Sequence, residues 1–150
     1  MVTVNDLKIG NIFKDTDERV VNLLVSIAQK RNIPAGVPVF VEDMISDAMF
    51  IILSGSVDVL KKTNNGRENI IGNLEKGDAF GMLSLILETK RFVTVRAREP
   101  LEVIVITRDN FNRFVNDNIH AAYQILLSIT KHIAGILGDP KGMEGVFNEE

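Results

Sequence analysis

The stretch of greatest chemical content runs Lys76-Gly77-Asp78-Ala79-Phe80-Gly81-Met82-Leu83-Ser84-Leu85-Ile86-Leu87 and continues Glu88-Thr89-Lys90-Arg91-Phe92-Val93-Thr94-Val95-Arg96-Ala97. After the bend that Gly81 permits, Met82 to Leu87 spans one or two helical turns, and the free N–H groups of such a start attract an anion. Arg91 returns from a short loop, and its planar fork suits a phosphate. Taken alone, the same residues equally describe a solvated loop in which Gly77 and Gly81 merely turn the chain.

Other chemistry is missing from the sequence. His120 and His132 are the only histidines, and twelve positions along a helix would separate them by about 18 Å and place them on different faces, so they cannot share a metal. The sequence has no cysteine, which removes disulfide scaffolds, Cys-based zinc sites and thiol catalysis. No Gly-x-Ser-x-Gly elbow, Walker-type loop or strand-borne Gly-x-Gly-x-x-Gly occurs. Asp15, Asp17 and Glu18 lie at a helix start, and Glu42, Asp43 and Asp47 in a presumed turn, so capping or solvated roles are expected. No catalytic residue, metal or required cofactor is expected.

The elements that would position Arg91 follow from periodicity. Asp15 with Glu18 reads as an N-cap and its reciprocal partner, and Val20, Val21, Leu23, Leu24, Ile27 and Ala28 predict a helix over about 16–30. From Ile33 the texture is that of strands: Val37, Val39 and Val41 alternate, and Phe50 to Leu53, Val57 to Leu60 and Val103 to Ile106 are compact apolar runs. Turn residues recur about every ten positions, which predicts an antiparallel sandwich or barrel. Asn65 and Gly66 predict a two-residue turn joining Val57–Lys62 to Arg67–Leu74.

Ile119, Ala122, Leu126, Ile129, Ile133 and Ile136 are spaced 3, 4, 3, 4 and 3, which predicts a long helix over about 118–137. Tyr123, Leu127, Thr130, Ala134 and Leu137 form a second stripe, so this helix has more apolar circumference than one contact needs. Both stripes can share one core; the sharper expectation is a homodimer in which Ala122, Leu126, Ile129, Ile133 and Ile136 meet the same helix of a second copy. Gly138 and Pro140 end the helix, and 139–150 reads as a loose tail after a single domain of 1–138.

With 150 residues, 45% of them hydrophobic and 25% charged, the chain suits one hydrophobic core. Its 17 Lys and Arg against 20 Asp and Glu give −3, which removes the basic field of a nucleic-acid or anionic-membrane binder. The longest apolar run, Ala48 to Leu53, is far short of the roughly 20 residues of a membrane span, and the start lacks the pattern of a signal peptide. No nucleic-acid or membrane partner is expected, and a cytoplasmic location is.

The order of these residues resembles the cyclic-nucleotide-binding domain of the catabolite-activator and protein-kinase regulatory-subunit superfamily. Pro34-Ala35-Gly36, Phe50-Ile51-Ile52-Leu53-Ser54-Gly55-Ser56-Val57, Gly77-Asp78-Ala79-Phe80-Gly81, and Arg91 with Thr94-Val95-Arg96-Ala97 carry the likeness over about 12–138. It implies a mainly β fold with flanking helices: an antiparallel, jelly-roll-like β-roll (a double-stranded β-helix) over about 33–107, an N-terminal helix and a long C-terminal dimerisation helix. It also implies a ligand site of Phe80, Gly81, Met82, Leu83, Ser84, Arg91, Phe92 and Thr94. Arg91 falls where the family neutralises a cyclic phosphate, and Gly81 and Leu83 where backbone amides face the pocket.

Two positions depart from the pattern. Met82 replaces the glutamate that accepts from the ribose hydroxyl, and Phe92 replaces a small residue beside the phosphate, where its ring is expected to fill ligand space. A thioether is a weak acceptor, and a lost partner for a buried hydroxyl costs about 1–3 kcal/mol. At the end of the long helix, where relatives present a polar side chain to the base, stand Gly135, Ile136 and Leu137. The implied function is a homodimeric regulatory sensor that couples cyclic AMP or cyclic GMP, weakly bound, to a separate effector protein. The alternative is a domain whose pocket Met82 and Phe92 close, acting as an interaction scaffold. DNA reading through a following helix-turn-helix is not expected, since only Asp139 to Glu150 come after the long helix. Arg96 and Arg98 are expected at a solvated strand edge.

Overall fold

The structure, a computed structural model, describes residues 1–138. Eight strands are flanked by helices: α1 (Val4–Ile9), α2 (Glu18–Leu24), β1 (Gln29–Ile33), β2 (Pro38–Phe40), β3 (Ala48–Ser54), β4 (Ser56–Lys62), β5 (Glu68–Glu75), β6 (Ala79–Phe80), β7 (Thr94–Ala97), β8 (Leu101–Thr107), α3 (Arg108–Asp117) and α4 (Ile119–Gly138). The strands form two antiparallel four-stranded sheets, ordered β1-β8-β3-β6 and β2-β7-β4-β5, the jelly-roll β-roll that the sequence implied.

Alternation on the central strands builds two cores. Ala48, Phe50 and Ile52 of β3, with Val103 and Val105 of β8, face the second sheet and pack with Phe40, Val57 and Val95. Met49, Ile51 and Leu53, with Ile104 and Ile106, face the helices and pack with Leu7, Leu24, Phe111, Phe114, Ile125 and Ile129. Because β3 and β8 are covered on both faces, they read in sequence as unbroken apolar runs. Each large aliphatic side chain so buried stabilises the fold by about 1.5–3 kcal/mol.

Local expectations need four corrections. The N-cap of α2 is Asp17, whose carboxylate accepts from the Arg19 N–H at 2.8 Å, rather than Asp15. This helix stops at Leu24, passes through a 3-10 turn at Val25–Ile27, and gives way to β1 where a helix was expected, because Gln29–Ile33 pairs with Leu101–Val105. The hairpin turn is a three-residue loop: Gly66 N–H donates to the Thr63 carbonyl, Thr63 N–H donates to the Arg67 carbonyl, and Gly66 alone takes positive φ. Two helices were not foreseen. α1 carries a capping box, Asp6 N–H donating to Thr3 Oγ1 at 3.1 Å and Thr3 N–H to Asp6 Oδ2 at 2.9 Å, and α3 is capped by Thr107.

α4 matches the predicted span but not the predicted faces. Its core-facing line is Ala121, Ala122, Ile125 and Ile129. Ala122 and Ile129 are therefore closed inside their own domain and are not available to a second copy. Ile119 and Tyr123, 76% and 60% exposed, are the large apolar groups that α4 turns outward near its start. A straight helix drifts against a strict a/d repeat by about 20° per heptad, so a single-period stripe cannot follow one face over this length. The tail 139–150 lies outside the described residues.

Candidate functional site

The site is built where β3, β6 and the segment before β7 converge. Phe80 pairs with Phe50 across β6 and β3, the two rings stack with centroids 5.2 Å apart, and Phe40 lies 5.9 and 5.8 Å from them. Gly81 then turns the chain at φ +72, and a Cβ there would stand 2.8 Å from Arg91 Nη1 and 3.0 Å from the Ala48 carbonyl oxygen. Both the left-handed backbone and the close approach require glycine. Met82–Leu85 form a single 3-10 turn, shorter than the helix expected, and the Ser84 N–H is already used on the Gly81 carbonyl.

Arg91 enters from the other side and is 6% exposed. Its Nη1 donates to Ser84 Oγ at 2.8 Å, its Nη2 donates to the Ala48 carbonyl at 2.8 Å, and the Asp47 carboxylate lies 3.7 Å away. The guanidinium carbon sits 3.9 Å above the centre of the Phe40 ring, a cation–π arrangement. Burial draws its pKa below the ordinary arginine value; Asp47 opposes this and Arg108 adds to it. A buried cation whose carboxylate partner is 81% exposed, and so screened by solvent, keeps unspent attraction for a further anion.

Phe80, Gly81, Met82, Leu83, Ser84, Arg91 and Phe92 line one cleft of about 340 Å³, at the lower end of the roughly 300–1,000 Å³ of small-molecule sites. Thr94, grouped with them from the sequence, is not among the lining residues: it is buried, and its hydroxyl accepts from the Glu42 N–H at 2.9 Å. Val95 of β7 and Val93 just before that strand line the cleft instead. Phe92 lines the cleft without closing it: the residue is 68% exposed, and its carbonyl accepts from Lys61 Nζ at 2.7 Å.

The helix α4 supplies Ile133 and Ile136 to the same cleft, two residues the sequence assigned to a dimer stripe. Sequence reasoning also missed Phe40, the Ala48 carbonyl and Arg108. The last donates from its Nη1 to the carbonyls of Ser46 at 2.9 Å and Ser84 at 3.1 Å, and approaches Glu88 at 3.3 Å. Ser84 is thus held by its side chain from Arg91 and by its backbone from Arg108. No sequence signal marked Arg108, which follows an apolar strand like any solvated base. Arg96 and Arg98 pair with Glu68 and Asp58, each at 3.1 Å, on the second sheet. Among the described residues no group of three potential metal ligands occurs, and no helix is long and apolar enough to cross a membrane.

With this geometry in place, the family profile described as "Cyclic nucleotide-binding domain" matches residues 30–118. The chain is 28% identical over 105 residues to the "Cyclic AMP receptor protein" of Thermus thermophilus, covering 70% of this chain and 49% of the relative. It is 29% identical over 137 residues to the "cAMP-dependent protein kinase regulatory subunit" of Schizosaccharomyces pombe, covering 83% of this chain and 33% of the relative. The chain therefore spans half or less of these curated relatives. Among solved structures, a cyclic nucleotide-binding domain from Methylobacillus flagellatus superimposes with a TM-score of 0.82 at 20% identity, over 97% of this chain and 84% of that one, a likeness of fold.

Proposed function

The chain belongs to the cyclic nucleotide-binding domain family, and on that footing we propose that it is a ligand-responsive regulatory domain, not an enzyme, whose cleft takes a small anion at Arg91 and whose response leaves through α4. The observation that carries this reading is the buried guanidinium of Arg91 at the inner end of a cleft that opens under Ile133 and Ile136. An anion that shares the donors now spent on Ser84 and Ala48 would displace the Ser84 turn, which Arg108 ties to the start of α3. Asn118 joins α3 to α4, its N–H donating to the Phe114 carbonyl and its carbonyl accepting from Ala122, so a shift of α3 is passed to α4. The ligand acts only to the extent that it binds the two arrangements unequally.

Cyclic AMP and cyclic GMP are the phosphates to test first, because the relatives' names carry cyclic AMP. With Met82 where a ribose acceptor would stand, their binding is expected about 10- to 100-fold weaker than to the Met82→Glu variant. The output passes to a separate effector in the cytoplasm, and the domain pairs through the outward face of α4. The test is calorimetric titration of ligand-free protein together with Arg91→Gln. Saturable binding of one ligand per chain, lost in the variant, supports the reading; failure of every anion, this pair and those below, to bind the folded protein overturns it. The closed-pocket alternative has less support, since Phe92, although it lines the cleft, is 68% exposed.

A further inference from the structure

The cleft is divided by polarity in a way that a nucleoside does not match. Its polar groups, Ser46, Ser84, Thr89, Lys90 and Arg91, all come from the floor around Arg91. The Ser46 hydroxyl is engaged by the Thr89 N–H at 3.2 Å, and the Ser84 hydroxyl by Arg91. The walls and roof are hydrocarbon: Val59, Leu74, Val93 and Val95 from the sheet and Ile133 and Ile136 from α4, with the thioether of Met82 beside them. No Asp, Glu, Asn, Gln or His lines the cleft among the described residues, so nothing there accepts from a ribose hydroxyl or an exocyclic amine through a carboxylate or amide. Each such group buried without a partner weakens binding roughly 10- to 100-fold.

Resting on the sensor reading above, we propose that the preferred ligand is an amphipathic anion: one carboxylate or phosphate head at Arg91, carried on an unsubstituted aromatic or aliphatic body that Ile133, Ile136, Leu74 and Val59 enclose. The head matches Arg91, the one buried cation among the described residues, and Lys90, an exposed cation, also lines the cleft. The body matches the apolar walls, which contribute through area removed from water and demand no hydrogen bonds. The rings of Phe40, Phe80 and Phe92 and the part-buried Met82 also line the cleft and suit an aromatic body in particular.

The experiment titrates 2-naphthoate, 2-naphthyl phosphate, neutral 2-naphthol and cyclic AMP into the ligand-free protein, followed by calorimetry and naphthyl fluorescence. At least one naphthyl anion is expected to saturate at one per chain and to bind at least tenfold more tightly than both cyclic AMP and 2-naphthol; comparison of the two anions separates a carboxylate from a phosphate head. Ile136→Glu, on a residue 46% exposed and so compatible with folding, is expected to remove naphthyl binding, and Met82→Glu to shift preference toward cyclic AMP. Cyclic AMP binding as tightly as the naphthyl anions overturns the ligand class and leaves the sensor reading standing. Equal affinity for 2-naphthol also overturns it, since the head would then contribute nothing. Failure of all four overturns the ligand class, and failure of cyclic GMP as well removes the sensor reading.

Discussion

Arg91 is already held by Ser84 and by the Ala48 carbonyl, so an incoming anion shares a guanidinium that the fold itself uses. Arg91→Gln is accordingly expected to lower stability by about 1–3 kcal/mol, from the carbonyl left without its charged donor, and to abolish anion-induced stabilisation. Thermal denaturation with and without ligand separates the two effects, and a retained ligand shift would place the anion elsewhere. Gly81→Ala drives a methyl group to 2.8 Å from Arg91 Nη1 in a left-handed backbone. It should destabilise by about 1–3 kcal/mol and disable the site even where the protein stays folded, which circular dichroism and titration together would check. His132 on α4 is held below its ordinary value of 6.5 by burial, with Asp78 opposing. The unfolded chain therefore binds the proton more readily, and this contribution to stability, full above pH 6.5, is lost as pH falls from there toward the folded value. The melting temperature of the wild type should drop more between pH 7.5 and 5.5 than that of His132→Gln; equal drops would remove His132 as the cause.

At the scale of elements, the segment from Gly81 to Arg91 has little regular structure of its own and is fixed by its neighbours. Arg108, the first residue of α3, holds it through the Ser46 and Ser84 carbonyls and Glu88. Replacing Arg108 by Ala removes charge-assisted bonds, each about 1.5–3 kcal/mol. The expected result is faster amide hydrogen exchange over residues 84–91 with ligand binding preserved, and a weaker ligand-induced change in α4. Unchanged exchange in α4 of the liganded variant relative to wild type would show that the signal bypasses Arg108. The strands were readable where both faces are buried, as in β3 and β8, because continuous apolar runs leave few other placements. β1 was not, since Gln29 to Asn32 are exposed and their strand conformation comes from pairing with β8.

For the whole molecule, the faces of α4 decide what association is available. Pairing through the outward residues predicts that Ile119→Glu with Tyr123→Glu yields a monomer by light scattering. Ile129→Ala should instead cost about 2–5 kcal/mol of stability without changing the mass, because Ile129 is fully buried in its own domain. An unchanged mass in the first variant would exclude this face. The sequence by itself determined an antiparallel sandwich or barrel, the long helix and the segment around Arg91, because alternation, helical spacing and the order of glycines and arginine are local properties of the chain; the β-roll came from the family resemblance that this order carries. Tertiary structure alone decided that Phe92 stays largely exposed while Thr94 turns to Glu42, that Phe40 and the Ala48 carbonyl surround Arg91, and that Ile133 and Ile136 roof the cleft. Those facts depend on which residues distant in sequence meet across two sheets and a helix. A one-dimensional period cannot specify that meeting, since one face of α4 serves the core in its middle and the cleft at its end.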